Sequence, residues 1–217
     1  MAFAHICAWV FDLDNTLYPA PALYDAIGVR MTAHIAQALG VDAAEAQRLR
    51  ELYFHQHGAT VAGLAELHGI DPHAFLEDVH KVDYSVLSED AELTALIARL
   101  PGRRILFTNG SAGHGARALA QLGLAGLFER IVSIETSGFA PKPQRVAYER
   151  LIDTCALDPA QALMIEDSAR NLEPAHALGF TTALVGVEHP EPKPAYLDHW
   201  ALDLKELLRL ALAGETR

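Results

Sequence analysis

A chain of 217 residues with 51% hydrophobic and 21% charged content can bury a substantial core, which excludes a disordered or low-complexity protein. Its net charge of −11 disfavours nonspecific nucleic-acid binding, although a local pocket can still hold a small phosphate against the global sign. The first residues show no basic segment followed by an apolar one, and no apolar run nears the ~20 residues of a membrane helix. The expectation is a cytoplasmic protein, monomer or homodimer, with neither a nucleic-acid nor a membrane partner. Cys7 and Cys155 stand alone in apolar contexts, without a C-x-x-C pair, and read as reduced, buried thiols.

The apolar run 6–10 reads as a buried strand, and Phe11-Asp12-Leu13-Asp14-Asn15-Thr16-Leu17-Tyr18 follows where a loop should begin. Residues two apart share one side of an extended backbone, so Asp12 and Asp14 can face one small volume. Like charges held that close are costly unless a cation or a shared proton offsets them. The plainer alternative is a strand end with two solvated acids. Pro19 and Pro21 then break the chain. Leu23, Ile27, Met31, Ile35 and Leu39 recur at helical spacing up to Gly40. Asp42 caps a second expected helix over 43–57, a third covers 61–68, and Asp71-Pro72 opens a fourth. Between 18 and 87 no strand is expected.

Beyond that block strands and helices alternate. The expected strands are 104–108, 131–134, 162–165 and 181–185. The expected helices are 91–100, 115–122, 144–155, 169–178 and 202–212, and the Pro-rich stretch 188–194 reads as a surface loop. This pattern predicts an α/β fold, a doubly wound, Rossmann-like parallel sheet covered on both faces, with ligands beyond the carboxyl ends of the strands. The polar residues collected at those ends are Asp12, Asp14, Thr108, Asn109, Glu166 and Asp167.

Thr108-Asn109-Gly110 offers a hydroxyl and backbone N–H groups that suit a phosphate, and is equally an ordinary strand-to-helix turn. Lys142, between Pro141 and Pro143, is either a fixed ammonium for an acidic pocket or a solvated loop lysine. Glu166-Asp167-Ser168 supplies hard-cation ligands or a helix cap. Of the eleven histidines, His55 and His57 diverge on a helix. His114 reads as a solvated helix-start residue, with a ligand-facing position as the alternative.

The ordered set Asp12-x-Asp14-x-Thr16, Thr108-Asn109, Lys142-Pro143 and Glu166-Asp167 resembles the four motifs of the haloacid dehalogenase superfamily, across nearly the whole chain. The helical block resembles the small cap of its subfamily I, implying a discontinuous core, 1–17 and 88–217, with a cap over 18–87. Asp14 to Tyr18, His57 to Leu64 and Val79 to Ser85 resemble the pyrimidine 5′-nucleotidase branch. The resemblance implies a Mg²⁺-dependent phosphatase. Asp12 is the nucleophile that forms an aspartyl-phosphate, and Asp14 is the general acid and then the base. Thr108, Asn109 and Lys142 hold the phosphoryl group. The metal ligands are Asp12, Asp14 through its carbonyl, Asp167 and Glu166, the last directly or through water. Many relatives carry an Asp where this chain has Asn171, which leaves Glu166 to take part of that role.

The expected substrate is a small phosphomonoester, a pyrimidine nucleoside 5′-monophosphate, with Thr60 and Tyr84 as contacts. The alternatives are a broad phosphatase for sugars or similar metabolites, a phosphomutase, and a non-catalytic phosphate-binding protein on the same fold. A dehalogenase has no need of the acid at Asp14.

Overall fold

The computed structural model describes residues 3–19 and 21–213. Its centre is a six-stranded sheet built from β1 (Ala8–Phe11), β2 (Arg103–Phe107), β3 (Arg130–Val132), β4 (Ala162–Glu166), β5 (Thr181–Val185) and β6 (His199–Ala201). Every pairing is parallel, in the order β3-β2-β1-β4-β5-β6. The strand sequences AWVF and ALMIE are apolar on both faces, as a sheet covered on both sides requires. The chain reverses direction across the sheet between β1 and β4, the crevice where ligands of such sheets bind.

The first helices are α1 (Pro21–Leu39), α2 (Ala43–His57), α3 (Thr60–His68) and α4 (Pro72–Val79). Asp42 and Asp71 cap α2 and α4 by accepting from the backbone of Glu45 and His73. The remaining helices are α5 (Ala91–Arg99), α6 (Ala112–Gln121), α7 (Arg145–Cys155), α8 (Ala169–Ala177) and α9 (Leu204–Ala213). Helix α6 begins three residues earlier than the apolar pattern implies, because the Ser111 hydroxyl accepts the backbone N–H of His114 and caps it. Strand β6 escapes a periodicity reading because it is three residues long and follows the Pro-rich stretch.

Three buried clusters organise the molecule. Trp9, Phe11 and Leu13 join Leu93, Ile97 and Leu208 on one face of the sheet. Val10, Phe107 and Met164 join Tyr148 and Leu172 on the other. The third lies among α1 to α4, with Ile35, Leu64 and Phe75 at its centre and Ile134 reaching in from the sheet side. Alternation therefore brings Asp12 and Glu166 out on the face covered by α7 and α8. Register completes the placement. Phe11 is level with both Leu106 and Ile165, so the next position puts Asp12 beside Glu166.

Cys155 is buried as expected, but Cys7 is exposed; it lies just before β1, outside the covered part of the sheet. Among the described residues no helix is long and apolar enough to cross a membrane.

Candidate active site

Among the described residues, Lys142 is the only lysine or arginine at the centre of the site. It reaches the sheet face from the loop between β3 and α7, with its side chain 1% exposed. Its Nζ donates to Asp12 Oδ1 at 2.6 Å, to Glu166 Oε1 at 2.5 Å and to the Phe107 carbonyl at 2.8 Å. Burial alone would lower the ammonium's pKa, but the charges of Asp12 and Glu166 outweigh it and hold it above its ordinary value. The acids are in excess over this one ammonium, and the strain falls on them. Burial pushes Glu166 up to about 8, with the charge of Asp12 adding to it. Burial likewise raises Asp12, against the pull of Lys142. Asp167 is raised to about 6 by burial and by Asp12.

Asn109 has a different partner from the one expected. Its amide clamps the backbone of Lys142 on both sides, accepting from the N–H at 2.8 Å and donating to the carbonyl at 3.1 Å. The side chain thereby fixes the lysine loop, with one Nδ2 proton left over on a residue that lines the cavity. Thr108 is buried and accepts from the Gly110 N–H, which leaves its hydroxyl proton able to point at an anion. A second constraint on the lysine loop comes from Gly58, the residue that ends α2 in the left-handed region at φ 84°. A Cβ there would lie 3.0 Å from the Lys142 carbonyl and 3.1 Å from Pro141 Cγ.

Asp14 sits apart from this cluster. Its Oδ1 accepts from the Tyr18 hydroxyl at 2.5 Å and lies 3.0 Å from His114 Nε2, which is 3.3 Å from Oδ2. Burial alone would raise its carboxyl, but His114 and then Tyr18 bring it below its ordinary value. His114 is buried, contrary to its reading as a solvated helix-start residue. The Ser111 cap places it in the first turn of α6, which faces the strand ends; the S-x-x-H spacing was the available signal. Its ring stacks on His80, with centroids 4.5 Å apart and planes at 13°. Burial brings His80 down to about 3, so that ring is neutral at pH 7.

Ligand oxygens of Asp12, Glu166 and Asp167 lie within 4.8 Å of one another. Three carboxylates and no sulfur or nitrogen donor fit a hard cation such as Mg²⁺. Glu166 is already engaged: Oε1 accepts from Lys142 and Asn171, and Oε2 from the Ser168 N–H. Asn171 Oδ1 is buried with no hydrogen-bond partner. Asp167 thus carries the more available carboxylate, and Asn171 orients Glu166 through its Nδ2.

A cavity of about 860 Å³ opens from Asp14 into the helices α1 and α2. Its wall includes Asp14, Tyr24, Phe54, Thr60, His80 and His114. The rings of Tyr24 and Phe54 are 50% and 44% exposed, although large apolar side chains ordinarily seek cover. Thr60 is on this wall, but its hydroxyl donates to the Arg50 carbonyl. Tyr84 is not among the lining residues. It is buried behind His114, with its hydroxyl 2.9 Å from Nδ1.

A family model described as haloacid dehalogenase-like hydrolase matches residues 8–179. Phosphate metabolism protein 8 of Saccharomyces cerevisiae is 30% identical over 189 residues, covering 78% of this chain and 58% of that protein. The chain thus spans little more than half the length of the yeast relative. The N-acetylmuramic acid 6-phosphate phosphatase of Pseudomonas putida is 28% identical over 231 residues, 95% of this chain and 98% of that one. The structure of L-2-haloacid dehalogenase from Xanthobacter autotrophicus matches with a TM-score of 0.62 at 19% identity, covering 95% and 98% of the two chains. That likeness speaks to the fold alone.

Proposed function

The chain belongs to the haloacid dehalogenase-like hydrolases, and on that premise we propose that it is a Mg²⁺-dependent phosphomonoesterase acting through an aspartyl-phosphate. The observation that carries this reading is a second acid, Asp14, on the cavity wall beside a lysine-neutralised Asp12. Expelling a halide needs no proton, whereas expelling an alcohol does. The Pseudomonas relative, named as a phosphatase, supports the same choice.

A carboxylate attacks a phosphate dianion only when charge repulsion is offset. Asp12, Asp167 and Glu166, with the Asp14 carbonyl, would hold Mg²⁺, which would supply positive charge. The chain's own residues do the rest. Asp14 takes up a proton as the phosphate dianion enters beside it; the Asp12 carboxylate then bonds to phosphorus as the bond to the leaving oxygen breaks, and Asp14 gives that oxygen its proton. Asp14, now a carboxylate, takes a proton from water. The water oxygen bonds to phosphorus, the bond to Asp12 breaks, and inorganic phosphate leaves. Lys142 and Thr108 steady the phosphoryl oxygens throughout. Helices α1 to α4, residues 18–87, serve as the cap that shields this chemistry from water.

For substrate we infer a pyrimidine nucleoside 5′-monophosphate. The resemblance of three stretches to that nucleotidase branch supports this, as does a cavity roomy enough for a nucleoside with two half-exposed aromatic residues, Tyr24 and Phe54, on its wall for a planar base. A second reading, a phosphatase for sugar phosphates, is favoured by the name of the Pseudomonas relative. The test is kcat/KM with Mg²⁺ for UMP, CMP, AMP, phosphoglycolate, a hexose phosphate and N-acetylmuramic acid 6-phosphate. UMP and CMP should lead. A sugar phosphate ahead by tenfold, about 1.4 kcal/mol of transition-state binding, favours the second reading.

A further inference from the structure

The phosphomonoesterase reading asks Asp14 to hand over a proton and take one back, yet the reading says nothing of what holds Asp14 in place. A carboxylate on a strand-end loop can rotate about its side-chain torsions, and a rotation that displaces the acid by 1 Å can cost ~100-fold in rate. Two side chains limit that rotation here, Tyr18 and His114. Asp14 Oδ1 takes the two shorter bonds, from Tyr18 at 2.5 Å and His114 Nε2 at 3.0 Å. Oδ2 takes only the longer arm of the His114 contact, at 3.3 Å. An ionised carboxylate only accepts, so Nε2 carries a proton whichever charge the imidazole bears. The imidazole is itself immobilised. Tyr84 Oη meets Nδ1 at 2.9 Å, His80 stacks on one ring face, and the Ser111 hydroxyl binds both the His114 N–H and His80 Nδ1. Asp14 and His114 are 100 residues apart in the chain and share the wall of the cavity where a leaving group would lie.

We propose that His114 is a positioning residue for phosphoryl transfer: backed by Tyr84, it pins Asp14 Oδ1 and turns Oδ2 toward the leaving oxygen. This rests on the phosphomonoesterase reading and deepens it. The residue acts through Asp14 and does not touch the phosphoryl group. Its loss therefore matters in proportion to how much the leaving group needs an acid.

The experiment compares two esters, UMP and p-nitrophenyl phosphate, in single-turnover phosphorylation of the full chain with Mg²⁺. Nitrophenolate leaves without a proton, whereas the ribose alcohol does not. His114→Ala should slow the UMP step roughly 30- to 100-fold with KM within about twofold, and slow the nitrophenyl step no more than about threefold. His114→Gln, whose amide can donate from near the Nε2 position, should regain most of the UMP rate. Tyr84→Phe, which removes only the backing hydroxyl, should show a smaller loss with the same bias between esters. These two variants carry the test if His114→Ala does not fold, which thermal melting reports. Equal losses on both esters, or folded His114→Gln and Tyr84→Phe without the bias, would overturn the proposal while the phosphatase reading stands. Wild-type protein that accepts phosphate from neither ester removes the reading and the proposal together.

Discussion

Replacing Lys142 by Met keeps the side-chain volume and deletes the ammonium at the centre of the site. The ammonium lies 2.6 Å from Asp12 and 2.5 Å from Glu166, both buried, and also serves the Phe107 carbonyl. Breaking a buried pair by removing one partner costs ~3–5 kcal/mol. Two carboxylates and a carbonyl are stranded here, so the upper half of that range applies. For a chain of this size each kcal/mol moves the melting temperature by ~2–4 °C, which places the drop at roughly 8–20 °C. The deficit should depend on pH with a definite sign. Without the lysine, Asp12 and Glu166 have folded-state pKa values further above their unfolded ones. Their protonated forms keep the fold stable below the unfolded pKa, and that contribution is lost as pH rises through the folded pKa. Glu166 already sits at about 8 with the lysine present. Below that value Glu166 is protonated in both folded proteins, so its part of the deficit should be small from pH 5 to 7 and open as pH rises past 8. Calorimetric melting of both proteins at pH 5, 7 and about 9.5, with chelator present, measures it. A deficit that does not grow above pH 8 would refute the view that Lys142 neutralises these acids.

Asp12→Asn should leave melting within a few degrees of wild type and reduce UMP turnover below about a hundredth; retained activity above that would assign the nucleophile elsewhere. Chelation should stop hydrolysis and Mg²⁺ restore it, as followed by phosphate release. Because Asp167 at about 6 and Glu166 at about 8 must shed protons before they can hold a cation, Mg²⁺ should raise the melting temperature more at pH 8 than at pH 6. Gly58→Ala forces a Cβ to within 3.0 Å of the Lys142 carbonyl at a backbone φ of 84°, so kcat should fall at least tenfold, with ~1–2 kcal/mol lost in urea denaturation.

The strands β1, β2 and β4 were legible because each carries an apolar run that leads into polar residues, and the caps Asp42 and Asp71 marked helix starts outright. What escaped was decided across long sequence separations. The Asn109 amide finds the Lys142 backbone 33 residues away, and nothing local distinguishes that clamp from a phosphate ligand. His114 looked solvated because its partner Asp14 is 100 residues distant. Tyr84 reads as a substrate contact because it is the one aromatic ring in a cap stretch that resembles the nucleotidase branch. The packing of α6 turns it behind His114 instead. Tyr24 and Phe54 offer the opposite lesson: both lie in helices, and only the packing shows that they stay half exposed on the cavity wall.

The placement of Asp12 level with Glu166 has a bearing on how the sheet assembles. Strands such as AWVF and ALMIE are apolar on both faces, so burial alone discriminates poorly between the native register and a slip by one residue. A slipped β4 would turn Glu166 to the opposite, apolar face and bury its carboxylate away from the Lys142 ammonium. Desolvation makes such an unpaired charge expensive, and the penalty is felt only once the strands have closed and water has gone. The polar end of this sheet thus favours the native register where the apolar remainder would tolerate a slip. Substitutions in the cluster should be judged by the yield of correctly refolded protein as well as by turnover.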